Sequence, residues 1–387
     1  MHFKEYLTTT GLATMFMFAR FLYMPVLAPY IKGVGLNDFQ TGIVLSAFGL
    51  VVFLTAPIIG HLSDKIGRRA IMLIGLLASI MGIALYIIDQ VWWTFMLARA
   101  LMAIGFIAVV IVGIARIEDN IDDKDRGKYS GWSLTLIDAA RIFAPPLGGL
   151  LADYYFVKMP FFVAIVLMAV QLIYLILAKK QYKTRHITKS DLDLFGLLRA
   201  FIANKNLRGM AILGMSMHTT MSLSTMFLPI LIRNEWGLPY RYVGYVLFAY
   251  MISHLFQFAF GKFADKIGSA KGVLIGTGLF GLTLLVLSQV NDYISLLILV
   301  AVWGVWGSLW NVSAWAYMSY IGERQGNEGE VTCSYISWAK LGSFMSFLLG
   351  GLFVMHFGLP AYMLLLGALI VLATVVAGPM LLSKTKA

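Results

Sequence analysis

Five charged residues lie inside long apolar stretches of the sequence, where their charges cannot reach water along their own segment: Arg20, Arg99, Asp138, Arg141 and Lys340. A charge left in hydrocarbon costs from about 2.5 kcal/mol upward, so each of them needs a partner or a wet cavity. Asp138 and Arg141 are three residues apart, on one face of a helix, and can pair directly. Every other Asp and Glu falls in a loop or at the end of a segment.

Arg20, Arg99 and Lys340 have no acidic partner at their depth, and this predicts a negatively charged ligand. Uncompensated buried charges are costly, and Arg20 and Arg141 offer planar donor forks that suit a carboxylate or a phosphate. Lys340, from the opposite half of the chain, would act as a point charge. The structural alternative is that the cations bind backbone carbonyls at helix breaks and hold the halves together. This alternative weighs most for Arg99, which lies nearer the outer end of its segment.

Asp138 is the only acidic residue at depth and is therefore the predicted proton carrier. Arg141 beside it favours the charged carboxylate, and moving the arginine onto a substrate would favour protonation. Substrate anion and Asp138 would then compete for one cation. The alternative is a permanent ion pair. His218 and His254 are further candidates for proton coupling, because imidazole titrates near neutrality.

Aromatic residues predict the apolar wall of a binding site. Tyr23 lies three residues from Arg20, and Trp306 and Trp310 recur at helical spacing in one apolar segment. The alternative is that these rings only pack against neighbouring helices or lipid.

The composition indicates a membrane protein, because 60% of residues are hydrophobic, 13% are charged and the mean hydropathy is +0.82. A helix needs about 20 apolar residues to cross a bilayer, and twelve segments of that kind can be laid along the chain. We predict an all-α integral membrane protein with twelve spanning helices in two pseudo-symmetric six-helix bundles. The predicted segments are 8–31, 41–62, 70–89, 92–116, 129–152, 159–178, 209–232, 241–262, 271–289, 293–318, 331–355 and 359–382.

A short polar stretch occurs twice, at about half the chain length. Gly60–Arg69 contains Gly, three residues and then Asp-Lys-Ile-Gly, and the same frame returns at Gly261–Gly268. Such a repeat indicates two copies of one architecture. We therefore predict an N-terminal bundle over residues 1–178, a cytoplasmic linker over 179–208 with a surface helix from Asp191 to Asn204, and a C-terminal bundle over 209–387.

The lysines and arginines predict the orientation in the membrane. With the N-terminus inside, 22 of the 30 fall in inner loops and ends, four in outer loops, and four are the deep cations. Positive charge favours the cytoplasmic side, so both termini are expected there. We predict a multi-pass protein of a cell membrane, of the bacterial inner-membrane type.

Three motifs resemble those of the major facilitator superfamily, specifically its twelve-helix, proton-antiporter-like members of the drug and metabolite exporter type. Gly60–Arg69 is similar to the loop signature Gly-x3-Asp-x2-Gly-Arg-Arg between helices 2 and 3. This resemblance implies a central cavity and alternating access, with a conformational latch at Gly60, Asp64, Gly67, Arg68 and, in the second copy, Asp265. The alternative is an inert turn that directs positive charge inward.

Two helices carry the other two motifs. The stretch from Arg99 to Gly105 partly resembles the helix-4 arginine motif of proton-linked members, which implies a part for Arg99 in proton coupling. The helix-5 stretch that ends in Ala144-Pro145-Pro146-Leu147-Gly148-Gly149 resembles the antiporter signature, with two glycines replaced by alanine. It implies close helix packing at Ala144, Pro145, Gly148 and Gly149, and export by antiport. As plain packing, these residues would fit any membrane helix.

Taken together, the residues predict a secondary transporter that exports an organic anion, such as a siderophore-like polycarboxylate or a phosphate ester, in exchange for protons. The alternatives are a multidrug/proton antiporter for lipophilic compounds, an anion importer or exchanger of the same fold, and a transporter-fold receptor or scaffold. The sequence has no phosphate-binding glycine loop, no metal-ligand spacing and no Ser/His/Asp set, so we expect neither an enzyme nor a metal or cofactor. The expected partners are substrate, protons and membrane lipids but not nucleic acid, and we expect a monomer.

Overall fold

The structure is a computed structural model that describes residues 3–88, 90–119, 126–178, 194–325 and 328–382. Within these ranges the regular elements are all helical. Within the described part of the chain, ten helices are long and apolar enough to cross a membrane. One of them, Ser334–Leu381, contains the non-helical residue Gly358, so it consists of two helices joined at a kink. The prediction of an all-α membrane protein is confirmed, and the count of twelve stays a prediction.

Contacts between backbone positions that are close in space divide the chain into two compact units, which are described separately. The first comprises Met1–Lys189 and Leu228–Phe248, and the second comprises Ser190–Phe227 and Ala249–Ala387. The segment 228–248 thus groups with the N-terminal part of the chain. The predicted bundle boundaries at residues 178 and 209 remain a prediction.

The first unit is built from eight helices that precede the linker, together with the segment 228–248. In it, α1 packs on α7 and α8, α4 on α5 and α8, and α3 on α5. The helices are α1 (Phe3–Leu22), α2 (Met24–Gly33), α3 (Asp38–Ile66), α4 (Arg68–Ile88), α5 (Trp92–Phe106), α6 (Val112–Asp119), α7 (Arg126–Tyr154) and α8 (Met159–Leu177). A π-helical turn, Ile107–Ile111, joins α5 to α6.

The second unit contains most of the helices after the linker. Here α10 packs on the long α16, and α14 packs on α15 and α16. The remaining helices of the chain are α9 (Leu194–Ala203), α10 (Lys205–His218), α11 (Leu228–Ile230), α12 (Tyr240–Met251), α13 (Gln257–Ile267), α14 (Ser269–Leu287), α15 (Tyr293–Gln325) and α16 (Glu328–Leu381). Helix α9 covers the described part of the predicted surface helix, and Asp191 lies outside the described residues.

The repeated polar stretch has the same backbone conformation in both places. Gly67, between α3 and α4, has φ 95° and ψ 139°, and Gly268, between α13 and α14, has φ 90° and ψ 136°. Only glycine adopts such angles at low cost. The sequence predicts a turn over residues 60–69. In the structure the turn is Gly67 alone, because α3 continues to Ile66 and α4 begins at Arg68.

Helix α1 breaks near the middle of the first span. Pro25 stands at the start of α2, where its missing N–H costs nothing, and the backbone N–H groups of Val26 and Leu27 donate to the Tyr23 carbonyl at 3.1 and 3.0 Å. The break begins two residues after Arg20, so it separates Arg20 from the second half of the span.

Candidate functional site

Two guanidinium groups of the first unit lie over one phenylalanine ring. The Cζ atom of Arg20 is 4.3 Å from the ring centre of Phe48, and that of Arg99 is 4.8 Å from it. Arg20 also lies 4.9 Å from the ring centre of Phe106. The rings attract both cations through their negative faces. Phe48 therefore brings together two cations that lie 79 residues apart in sequence.

Arg99 is the more buried of these two arginines. Its residue is 5% exposed, its Nη2 donates to the Leu45 carbonyl at 3.3 Å, and its Nε has no hydrogen-bond partner. The buried hydroxyl of Tyr86 has no partner either. The Leu45 carbonyl thus accepts from one donor of Arg99, as expected if the cations bind backbone carbonyls. The Nε–H donor of Arg99 remains unpaired.

The third arginine of this unit forms the predicted ion pair. Arg141 Nη1 lies 2.8 Å from Asp138 Oδ1 on α7, and both side chains are partly exposed, at 35% and 27%. The Arg141 guanidinium is also 5.3 Å from the Phe21 ring centre. The pairing that the three-residue spacing predicts is confirmed.

The three guanidinium groups lie near one another, because Arg20 shares the Phe48 ring with Arg99 and also lies 5.5 Å from the centre of the Phe21 ring that Arg141 contacts. Among the side chains that the structure describes, Asp138 is the carboxylate that pairs with this group, and neither Arg20 nor Arg99 forms an ion pair. The described part of the first unit therefore presents a region with more positive than negative charge beside aromatic rings.

Tyr23 lies in an aromatic core. It is 1% exposed and stacks on Phe161 at 5.1 Å, with Tyr86 at 6.3 Å. This contact set explains why a tyrosine stands at the helix break.

The small residues of α7 let backbone atoms of neighbouring segments come closer to the helix than any larger side chain would permit. A Cβ at Gly148 would lie 1.6 Å from the Leu22 carbonyl oxygen at the break of α1, and a Cβ at Gly149 would lie 2.6 Å from the Tyr240 carbonyl oxygen. In return, a Cβ at Gly244 would lie 2.6 Å from the Pro145 carbonyl oxygen. Ala144 is fully buried beside them. The end of α7 therefore packs tightly on both α1 and the first part of α12.

In the second unit, two of the predicted residues are in contact, His218 of α10 and Trp310 of α15. The rings of His218 and Trp310 are 6.0 Å apart, edge to face, and the charge of Lys340 acts on His218. Trp310 is 9% exposed, and Trp306 is partly buried. His254 lies elsewhere, on a short 3-10 turn, with its Nδ1 3.2 Å from the Ser308 hydroxyl.

The family model described as Major Facilitator Superfamily matches residues 9–221 and 210–386, which together cover most of the chain. The chain belongs to the major facilitator superfamily. It is accordingly a membrane transporter and not an enzyme.

Among proteins similar to this superfamily member is the quinolone resistance protein NorA of Staphylococcus aureus strain COL, 27% identical over 353 residues and 88% of each chain. The class C tetracycline resistance protein of Escherichia coli is 30% identical over 155 residues, 39% of each chain. Solved structures with a similar fold include the nucleoside transporter NupG, at TM-score 0.80, 13% identity and 98% and 100% coverage. A bacterial homolog of the human lysosomal transporter Spinster has TM-score 0.79, 15% identity and 100% and 99% coverage. At these identities the two structures show the fold alone.

In this superfamily member, the loop predicted as a latch is a single turn residue, Gly67, between two helices. Gly60 lies within α3, and a Cβ there would contact nothing within 4 Å, so Gly60 supports no close approach. Arg68 is partly buried and Asp265 is exposed. The side chain of Asp64 lies outside the described residues. The latch function stays a prediction.

Two contacts of the transporter were missed from the sequence. Arg69 donates from Nη2 and Nε to the Leu175 carbonyl, at 2.7 and 3.1 Å, and so caps the end of α8. The carboxylate of Asp153 accepts from the backbone N–H groups of Tyr240 and Arg241 at 2.8 and 2.9 Å. The sequence signal for Arg69 was the paired arginine, which we attributed to orientation alone, and Asp153 counted only as a charge at a segment end.

Proposed function

We propose that this transporter exports aromatic organic acids in exchange for protons. The observation that carries the proposal is the group of Arg20, Arg99 and Arg141 around Phe48 and Phe21, with Asp138 as its one paired carboxylate among the described side chains. Aromatic faces hold the guanidinium groups in place but leave their N–H donors in the plane of each fork. Those donors suit a carboxylate, and the rings beside them suit a flat substrate body.

The ion pair on α7 supports proton exchange. Asp138 and Arg141 are partly exposed, so neighbouring side chains do not seal the pair. A substrate carboxylate on Arg141 and a proton on Asp138 each break the ion pair, because one cation cannot serve both anions fully. Exchange follows when the transporter can change its open side with only one of the two bound, but not with the ion pair intact. This mechanism needs no charged partner from outside the unit.

A second candidate is a multidrug/proton antiporter for lipophilic compounds without a required charge. It is favoured by the similarity to proteins named for quinolone resistance and tetracycline resistance. It would use the aromatic residues as an apolar wall and the arginines for packing. The two candidates differ in the charge of the preferred substrate, so substrate charge decides between them.

Two dyes that share a xanthene ring and differ in charge test the substrate class. Purified protein in proteoliposomes, with a proton gradient imposed, should transport fluorescein, an anion, faster than rhodamine 6G, a cation. Arg20→Ala should lower fluorescein transport at least tenfold, because it removes a charged fork from the site. Rhodamine 6G transport that exceeds fluorescein transport and is insensitive to Arg20→Ala would support the second candidate instead.

Asp138→Asn tests the proton step. The variant should lose gradient-driven accumulation of fluorescein but keep exchange of labelled for unlabelled dye at equal pH, since the amide cannot carry a proton. Glu5→Gln is the matched control, because Glu5 is also a carboxylate paired with an arginine, Arg116, at 3.3 Å in the same unit. Gradient-driven accumulation that persists in Asp138→Asn would exclude the aspartate as the carrier.

A further inference from the structure

The carboxylate of Asp153, in the last turn of α7, binds the start of α12. Its Oδ1 and Oδ2 accept hydrogen bonds from the backbone N–H groups of Tyr240 and Arg241, at 2.8 and 2.9 Å. The first N–H groups of a helix have no partner within the helix and carry partial positive charge, so they favour a carboxylate. Asp153 therefore joins two helices whose bonded residues lie 87 positions apart in sequence.

Two glycines bring the backbones of α7 and α12 together beside this carboxylate. A Cβ at Gly149 would lie 2.6 Å from the Tyr240 carbonyl oxygen, and a Cβ at Gly244 would lie 2.6 Å from the Pro145 carbonyl oxygen. Neither helix could approach the other so closely with a larger residue at these positions. The two helices thus meet along one face, and Asp153 binds at its end.

The interface continues to Phe143 of α7 and Phe248 of α12, whose rings are 5.8 Å apart. From Asp153 back to Phe143 it extends over about three turns of α7. The segment 228–248 groups with the first unit, whereas the residues before and after it in the chain belong to the second unit. The contacts of α7 therefore hold a short segment that continues into the second unit at both ends.

The predicted topology gives this interface a part in transport. The predicted spanning segments 129–152 and 241–262 place the end of α7 and the start of α12 on the outer side. A transporter that works by alternating access exposes its binding site to one side of the membrane at a time. In that topology, the contact of α7 with α12 has to open before a substrate can leave outward.

We propose that Asp153 stabilises the state in which the outer side of the transporter is closed. It acts by holding α12 against α7 and contacts no substrate, so it is a positioning residue for transport. The inference goes beyond the proposed function, because it applies to any substrate. Asparagine keeps one accepting oxygen but lacks the charge, so Asp153→Asn should favour opening of the outer side without adding bulk.

A buried cysteine reporter tests the opening in purified, full-length Cys333→Ser protein in detergent. Leu247 lies three residues after Gly244, on the face of α12 that contacts α7, and is 3% exposed. Leu247→Cys should therefore react slowly with N-ethylmaleimide. Adding Asp153→Asn should raise the rate of this reaction at least tenfold, because α12 moves away from α7.

A second reporter separates opening from general loosening of the fold. Leu134 is 48% exposed and lies one turn before Asp138 on the same face of α7, in the predicted inner half of the helix. Closure of the inner side accompanies opening of the outer side, so Asp153→Asn should lower the labelling rate of Leu134→Cys at least threefold. A loosened fold would raise both rates.

Asp292→Asn is the matched control, because Asp292 also accepts from a helix N-terminus but bonds to Ser295, the N–H donor of its own segment, at 2.9 Å. This variant should change neither labelling rate more than twofold. An unchanged rate at Leu247→Cys in Asp153→Asn, or faster labelling of both reporters, overturns the inference. No substrate enters the assay, so the result stands whether or not fluorescein is exported.

Discussion

Phe48 shows how a residue without charge can determine where charges lie. Arg20 and Arg99 repel one another, yet both guanidinium groups are held within 5 Å of the same ring centre, at 4.3 and 4.8 Å. Cation–π attraction is worth roughly 0.5 to 2 kcal/mol per contact, more where water is excluded. The ring therefore offsets part of the repulsion and of the desolvation cost. The two cations therefore do not depend on an anion alone for their stability. The ring face leaves the N–H donors in the plane of each guanidinium group free to bind one.

Phe48→Leu should destabilise the protein, because leucine keeps the apolar volume but has no negative face. We expect the free energy of unfolding to fall by about 1 to 3 kcal/mol, the sum of two partly buried contacts. Thermal melting in detergent measures the change. Phe258→Leu is the control, since Phe258 is exposed and its ring centre lies 5.9 Å from the Lys262 ammonium. Equal losses in both variants would show that the ring contributes only by its size.

Helix α7 carries both the ion pair and the small residues that fix its position. Asp138 and Arg141 lie about two turns before Gly148, so the contact of Gly148 with Leu22 sets where the pair stands relative to α1. Pro145 and Pro146 lie between the two groups, within the helix. A change in the packing of α7 should therefore alter function without touching a charge.

Gly148→Ala should be strongly destabilising, because the new Cβ would lie 1.6 Å from the Leu22 carbonyl oxygen, a backbone atom that cannot rotate away. Overpacking of this kind costs about 1 to 3 kcal/mol or more. Gly131→Ala, in the same helix, has nothing within 4 Å of the new Cβ and should instead stabilise by roughly 0.5 to 1 kcal/mol. Melting temperatures in detergent compare the two, and a Gly148→Ala protein as stable as the parent would contradict the packing.

Asp153→Ala should loosen the start of α12. The carboxylate accepts from two backbone N–H groups there, at 2.8 and 2.9 Å, and loss of a capping side chain costs about 0.5 to 2 kcal/mol. Amide hydrogen exchange at Tyr240 and Arg241 should accelerate at least tenfold. Asp292→Ala is the control, because Asp292 caps α15 locally through the Ser295 N–H at 2.9 Å. Faster exchange at Tyr240 in that control, or none in Asp153→Ala, would refute the assignment.

At the scale of the whole molecule, the sequence predicted what depends on local spacing and on segment length. The Asp138–Arg141 pair follows from three residues of helical separation, and the turn at Gly67 and Gly268 follows from a repeated motif. The kink at Gly358 also falls where two apolar segments were expected to separate. Each of these features is decided within one or two turns of chain, so no knowledge of helix neighbours is needed.

Features that depend on which helices adjoin could not be predicted in this way. Phe48 is an ordinary apolar residue of α3, and nothing in its own segment indicates two arginines from other helices. The Leu22 carbonyl became the neighbour of Gly148 only because α1 breaks before Met24. Likewise, the end of α3 was placed too early, because the polar residues 60–66 resemble a loop although they continue the helix. Tertiary contacts supply this information, and spacing does not.

The orientation of the molecule is the prediction that its charge distribution makes most directly. With 22 of the 30 lysines and arginines assigned to the inner side and four to the outer, both termini should be cytoplasmic. The chain has a single cysteine, so Cys333→Ser gives a background without thiols. Asn291 and Lys266 are exposed and stand on the predicted outer and inner sides. In that background, Asn291→Cys should react with a membrane-impermeant maleimide in intact cells, and Lys266→Cys only after permeabilisation. The Cys333→Ser parent should stay unlabelled throughout. The reverse labelling pattern would invert the topology and, with it, the direction of transport inferred from the proton gradient.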